Sequence, residues 1–195
     1  MAKLYFYYAT MNAGKSTNLL QASFNYRERG MTTSLFTAAL DTRGGLGVIT
    51  SRLGVTSPAT TFDAATDLYA AVAAAPTACV LVDEAQFLDR AQVEQLARIA
   101  DDLGIPVLAY GLRTDFQGAL FEGSRWLLAL ADVLAEIKSV CFCGRKAVMN
   151  LRIDAGGQAV TAGAQTEIGG NDRYVALCRR HFRLGFAGVS LGDMQ

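Results

Sequence analysis

The 195-residue sequence has no net charge, one histidine, four cysteines and no long uncharged apolar run. Each shortage excludes something. Zero net charge removes any general attraction to nucleic acid or to an anionic membrane, leaving only local basic patches for such roles. No charge-free stretch reaches the roughly 18 residues of a membrane span. The most apolar one, "WLLALADVLAEI", is interrupted by Asp132 and Glu136. The opening "MAKLYFYYAT" carries one lysine and a very short apolar run, less than the roughly 7–15 apolar residues of a secretory signal. The expectation is a cytoplasmic protein with no nucleic-acid or membrane partner. Without a secretion signal, the cysteines do not imply disulfides. Apolar side chains are plentiful, at 51% of the chain. They suffice for one medium domain, or one domain with a small appendage.

The chain changes style near residue 138. Before it, apolar strand-like runs alternate with helical patterns: "KLYFYY" (3–8), a helix over 17–29 stopped by Gly30, and "TSLFTAAL" (33–40). Then come a helical stretch over 62–75 that stops before Pro76, the strand "ACVLVDE", a helix over 90–103 stopped by Gly104, and "PVLAYGL". A last helix is expected from Ser124 as N-cap through Ile137. Continuous apolar strands alternating with helices mean an α/β fold, a parallel sheet covered on both faces. Ligands bind such sheets at the carboxyl ends of the strands. The glycine-rich stretch 41–58 reads as a mobile surface loop. After 138, short alternating segments flank a Gly156–Gly157 turn and read as a small β-rich appendage. The division expected is a nucleotide-binding α/β domain, 1–137, and a small lasso domain, 138–195. No internal repeat or low-complexity tract is present.

"ATMNAGKST" follows the first strand and opens the first helix. A phosphate loop needs that context: backbone N–H groups and a helix N-terminus face the phosphates, a lysine reaches them, and the next hydroxyl binds Mg²⁺. The candidate ATP-binding residues are Ala9, Thr10, Met11, Asn12, Ala13, Gly14, Lys15, Ser16 and Thr17. Ala9 stands where the motif has its first glycine. Alanine fits there if its φ is negative, with the tight turn carried by the residues up to Gly14. The strand "CVLVDEAQF" ends in Asp83 and Glu84. A carboxylate at that point supports Mg²⁺, which pairs Asp83 with Ser16 as candidate magnesium residues. Glu84, on the other side of the strand end, can accept a proton from an attacking hydroxyl or water. Ala85 and Gln86 complete the second nucleotide segment.

The appendage holds Cys141, Cys143, Cys178 and His181: three of the four cysteines and the lone histidine. Two ligand pairs at the base of a loop can supply a tetrahedral zinc site, and four protein ligands make it structural. Cys79, inside an apolar strand, reads as core.

Together "MNAGKST", "DTR", "VDEAQF", "GLRTDFQG", "CFCGRKA", "IGGNDRY" and "CRRH" resemble the zinc-containing thymidine kinase family of bacteria and animal cytosol. The resemblance spans most of the chain. It implies a RecA-like P-loop core with a zinc-bearing lasso and a homotetramer. It implies ATP-dependent phosphorylation of the 5′-hydroxyl of thymidine and deoxyuridine, with feedback inhibition by thymidine triphosphate. It makes Glu84 the catalytic base. It places Asp41 and Arg43 near the substrate's 5′ end, Phe116 against the thymine, and Gln165, Thr166, Glu167, Ile168 and Gly169 along the base edge. Tyr174 would close the lasso. On their own, Asp41 and Arg43 read as solvated loop residues, and Phe116 and Tyr174 read equally well as core aromatics. The sequence departs from the family in having Ala9 for glycine and C-x-C for C-x-x-C. Three rivals stand beside this reading. "DEAQ" also resembles a nucleic-acid-dependent ATPase, a corrinoid adenosyltransferase is another small-substrate transferase, and the cysteines alone would suit a zinc-ribbon interaction module.

Overall fold

The computed structural model of the protein describes residues 1–195 apart from 43, 167–172, 187, 190–191 and 193–195. The alternation expected from sequence builds β1 (Leu4–Ala9), α1 (Lys15–Glu28) and β2 (Thr33–Ala38). A hairpin of β3 (Val48–Thr50) and β4 (Thr56–Pro58) follows, then β5 (Thr60–Phe62) and α2 (Leu68–Ala73). The chain continues through β6 (Cys79–Val82), a 3-10 turn (Ala85–Phe87), α3 (Arg90–Asp102), β7 (Val107–Leu112), α4 (Glu122–Leu130) and β8 (Val133–Glu136). Six of these strands form one sheet in the order β5-β2-β6-β7-β1-β8, every neighbouring pair parallel. All four residues of β6 are buried, because both faces of a central parallel strand are covered.

Leu19 and Leu20 of α1 pack with Leu35, Leu81 and Tyr110 on one face. Phe6, Phe36, Val80, Val82 and Ala109 pack with Val93, Leu96 and Ile99 of α3 and Leu127 of α4 on the other. Asp89 caps α3, accepting from the Gln92 amide N–H, while the Gln92 side chain returns a bond to Asp89. This reciprocal cap fixes where α3 begins.

Four expectations are corrected. The last helix ends at Leu130, and residues 133–136 form β8, not helix. Leu, Ala and Glu are good helix formers, but the open edge of β1 needs partners. β8 supplies them along Tyr5–Tyr8, and the Asp132 carboxylate accepts from the Leu4 N–H at 2.8 Å. Ser124 is no cap: α4 starts at Glu122, and the buried Ser124 hydroxyl donates to the Leu112 carbonyl. Residues 62–75 are not one helix, because β5 takes Phe62 into the sheet and Asp67 caps a six-residue α2. Likewise 41–58 contains the β3–β4 hairpin, with Ile49 buried against the α1 layer.

Gly123 lies at the start of α4, where a Cβ would meet the Ala85 and Leu88 carbonyl oxygens at 2.5 and 2.8 Å. The helix therefore lies directly on the 3-10 turn after Glu84. Gly123→Ala is expected to lower stability by about 1–3 kcal/mol through overpacking, measured as a reduced urea midpoint.

Beyond residue 138 lie two short antiparallel ladders and a helix. β9 (Ser139–Val140) pairs with β10 (Lys146–Ala147), and β11 (Met149–Arg152) pairs with β12 (Tyr174–Leu177). α5 (Arg179–Phe186) is a helix that the β-rich expectation did not include. The Gly156–Gly157 turn is present. Asp154 Oδ1 accepts from the Gly156 and Gln158 N–H groups. A separate apolar cluster, Cys141, Ala147, Leu151, Leu177, Cys178 and Phe182, holds this part together.

Candidate functional site

The carboxyl ends of β1, β2, β6 and β7 converge beside the N-terminus of α1. Ala9 is the last residue of β1, paired with Leu112 of β7. It is not among the described residues with positive φ, so alanine is unstrained there. The turn is carried by Asn12 at φ 62° and Gly14 at φ 88°. Gly14 is the N-cap of α1, in a left-handed conformation that glycine adopts without steric cost.

Lys15 is buried at the first position of α1, and its Nζ donates to the Thr10 carbonyl at 3.2 Å. Ser16 Oγ donates to Asp83 Oδ2 at 2.8 Å, and the Glu84 N–H donates to Asp83 Oδ1 at 3.1 Å. The two segments singled out in the sequence therefore meet. Thr17 is half-buried one residue further along α1. Met11 and Ala13 are half-buried and Asn12 is exposed in the loop.

Glu84 has φ 53°, a left-handed conformation rare for a residue with a side chain. Such backbone costs on the order of 1–3 kcal/mol and persists where surroundings over-determine it. Here Gln86 provides part of that support. Its Nε2 donates to Glu84 Oε2, and its Oε1 accepts from the Leu112 N–H at 3.0 Å. Ala85 and Gln86 are themselves buried. Burial, and then the adjacent Glu84 carboxylate, push the Asp83 carboxyl up to about 7, against the opposing effects of Ser16 and Lys15. The native state then holds a proton that the unfolded chain has lost. Stability contributed by this group is present below the unfolded value near 4 and lost as pH rises toward 7. Metal-free wild type is expected to lose melting temperature between about pH 4 and 7 relative to Asp83→Asn, with scanning calorimetry as the check.

The substrate residues expected from sequence lie in several places. Asp41 follows β2, its N–H bonded to the Ala38 carbonyl. Arg43, Glu167, Ile168 and Gly169 lie outside the described residues. Phe116 is buried, with the Arg152 guanidinium 3.7 Å above its ring centroid. Gln165 Nε2 donates to Asp115 Oδ2 at 2.9 Å, while Thr166 is exposed. Tyr174 begins β12 opposite Arg152.

Three buried polar residues here were not found from sequence. Asn150 Oδ1 accepts from the Met11 N–H at 2.8 Å, and its Nδ2 donates to the Thr114 carbonyl at 3.2 Å. Arg152 donates to the Ala164 and Ala162 carbonyls at 3.1 and 3.3 Å. Asp115 Oδ1 accepts from the Gln117 and Ala119 N–H groups, shaping the turn that carries Phe116. The signal was polar residues at i and i+2 in "MNLR", which reads as a strand's solvent face.

Cys141, Cys143, Cys178 and His181 bring their ligand atoms within 4.8 Å of one another. The Cys143 and Cys178 sulfurs are 3.9 Å apart, and His181 Nδ1 is 3.3 Å from the Cys141 sulfur. A tetrahedron with bonds of about 2.3 Å has sulfur–sulfur edges of about 3.8 Å, so the set is compatible with zinc. Against the burial that raises it, hydrogen bonds from the His181 backbone and from Cys143 leave the Cys178 thiol below its ordinary value. The Phe142 ring stacks on His181, 4.5 Å between centroids.

Comparison with known proteins gives the class first. The family profile described as thymidine kinase matches residues 2–182, which makes this protein a phosphotransferase. The chain is 72% identical to a thymidine kinase of Novosphingobium aromaticivorans over 93% of its own length and 97% of that protein's. Relatives of the same name from Zymomonas mobilis and Agrobacterium fabrum are 65% and 63% identical, each over 93% of this chain and 96% of their own length. The chain belongs to the thymidine kinase family. Among the described residues, no helix is long and apolar enough to cross a membrane.

Proposed function

We propose that the protein transfers the γ-phosphoryl group of ATP to the 5′-hydroxyl of thymidine and deoxyuridine, in nucleotide salvage for DNA synthesis. Family membership supports the reaction. The observation that carries the site is the Ser16–Asp83 hydrogen bond, joining the loop after β1 to the carboxylate pair after β6. Residues 9–17 are a phosphate loop, with Lys15 on the phosphates and the core RecA-like. A hydroxyl beside a carboxylate is a hard-oxygen donor set suited to Mg²⁺, so Ser16 and Asp83 would hold the ion. The Thr10 hydroxyl, buried without a hydrogen-bond partner among the described residues, also fits a site completed by a polar ligand. When bound, the ion would neutralise charge on the transferred group.

Glu84 takes the proton of the attacking 5′-hydroxyl, and Gln86 orients its carboxylate. Asp41 and Arg43 guide the 5′ end of the nucleoside. Phe116 contacts the base, residues 165–169 bond its edge, and Tyr174 closes the lasso. Shielding from water matters because water competes as acceptor. Cys141, Cys143, Cys178 and His181 hold a structural zinc, and residues 1–137 and 138–195 are the two domains. The family resemblance supports a cytoplasmic homotetramer inhibited by thymidine triphosphate.

The test is ATP turnover against a nucleoside panel. Thymidine and deoxyuridine are expected to be phosphorylated. An inert thymidine beside another working acceptor overturns the substrate assignment. ATPase activity stimulated by nucleic acid without nucleoside would support the rival reading as a nucleic-acid-dependent ATPase instead.

A further inference from the structure

Asn150 belongs to β11, yet its two side-chain bonds both leave the strand. It is buried, with 3% of its surface exposed. One bond reaches Met11, next to Asn12, whose left-handed backbone makes the bend of the loop after β1. The other reaches Thr114, two residues before Phe116. Both ends of the amide are used in their only compatible sense. The oxygen meets an N–H and the nitrogen meets a carbonyl, so a flipped amide would oppose donor to donor and acceptor to acceptor.

Arg152 lies two residues along on the same face of the strand. It stacks on Phe116 and bonds the Ala162 and Ala164 carbonyls. One face of a four-residue strand thus touches the loop at Met11, the turn carrying Phe116, and the segment leading into Gln165. A ligand that draws residues 162–165 or Phe116 into place acts on the strand that fixes Met11. A ligand that orders the loop acts on the same strand from the other end.

We propose that Asn150 is a positioning residue that couples nucleotide binding at the loop to nucleoside binding at the small domain. This rests on the function proposed above. Each ligand strengthens the other through this amide, by one and the same factor, as linkage requires.

Calorimetric titration tests it. A non-hydrolysable ATP analogue with Mg²⁺ is titrated with and without saturating thymidine, and thymidine with and without the analogue. The proteins are wild type, Asn150→Asp and Asn150→Ala. In wild type each ligand is expected to tighten the other about tenfold, within the ordinary range of roughly 5- to 150-fold. Asn150→Asp keeps the acceptor for Met11 but sets a second acceptor against Thr114, and its shape protects folding where the alanine variant fails. In both variants the factor should fall to within about twofold of unity. A purely structural residue would lower melting temperature and both single-ligand affinities while leaving the factor intact, and that result overturns the proposal. A wild-type factor of unity in protein that phosphorylates thymidine overturns the coupling alone. Wild type that binds neither ligand overturns the functional reading with it.

Discussion

Glu84→Gln is expected to lower kcat for thymidine phosphorylation by about 10²–10⁴, the usual worth of a positioned general base. Binding of an ATP analogue should stay within a few-fold of wild type, because Lys15, Ser16 and the loop are untouched. The substitution conserves shape, and the new amide oxygen can still accept from Gln86 Nε2, which now bonds Glu84 Oε2. It also removes the charge that helps push Asp83 upward. The melting temperature should therefore hold or rise while activity collapses. Loss of turnover without loss of stability or nucleotide affinity separates a catalytic role from a structural one. Steady-state kinetics, calorimetric titration and thermal melting read the three quantities. A kcat within threefold of wild type would remove Glu84 from the mechanism.

Stripping zinc is the second large effect. Beyond residue 138 the apolar cluster has six buried residues among those described, and two of them, Cys141 and Cys178, are themselves proposed ligands. A core of that size does not hold a fold by burial alone. Structural zinc in finger peptides contributes about 10–16 kcal/mol of apparent binding free energy, more than the roughly 1.5–3 kcal/mol that each of Leu151, Leu177 and Phe182 gains by burial. Purified protein should carry one zinc per chain by elemental analysis. After chelation, or in Cys178→Ser, amide exchange over β9–β12 and α5 should accelerate at least tenfold, while β1, β6 and β7 stay protected. Thymidine phosphorylation should fall about a hundredfold, since Phe116 and residues 162–165 lose the strand that carries Asn150 and Arg152. A metal-free protein with full protection over β9–β12 and α5 would show that the four ligands do not hold this part of the chain.

The parallel sheet was legible because the central strands β6 and β7 are buried almost throughout and so appear as continuous apolar runs. The loop and carboxylate segments were legible because backbone geometry and charge restrict which residues can occupy them. β8 was not legible. Val133–Glu136 has the composition of a helix, and only the open edge of β1, over a hundred residues earlier, makes it a strand. Asn150 and Arg152 were missed for a related reason. Alternating polar positions in a short strand ordinarily face water, and here they face the Met11 loop and Phe116. The left-handed Glu84 backbone had no local marker, since no glycine or asparagine stands there.

The position of β1 also sets an order of events during synthesis. It is made before the other described strands, but its sheet neighbours are β7, ending at Leu112, and β8, ending at Glu136. At about 5–20 residues per second, the aromatic-rich segment Leu4–Ala9 waits roughly 5–20 s for its first partner. Once β6 is complete at Val82, β2 and β6 can pair with each other, while the segment preceding Gly14 and Lys15 still lacks a sheet neighbour. A nascent chain halted before Val133 leaves one edge of β1 open and its tyrosines available to other chains.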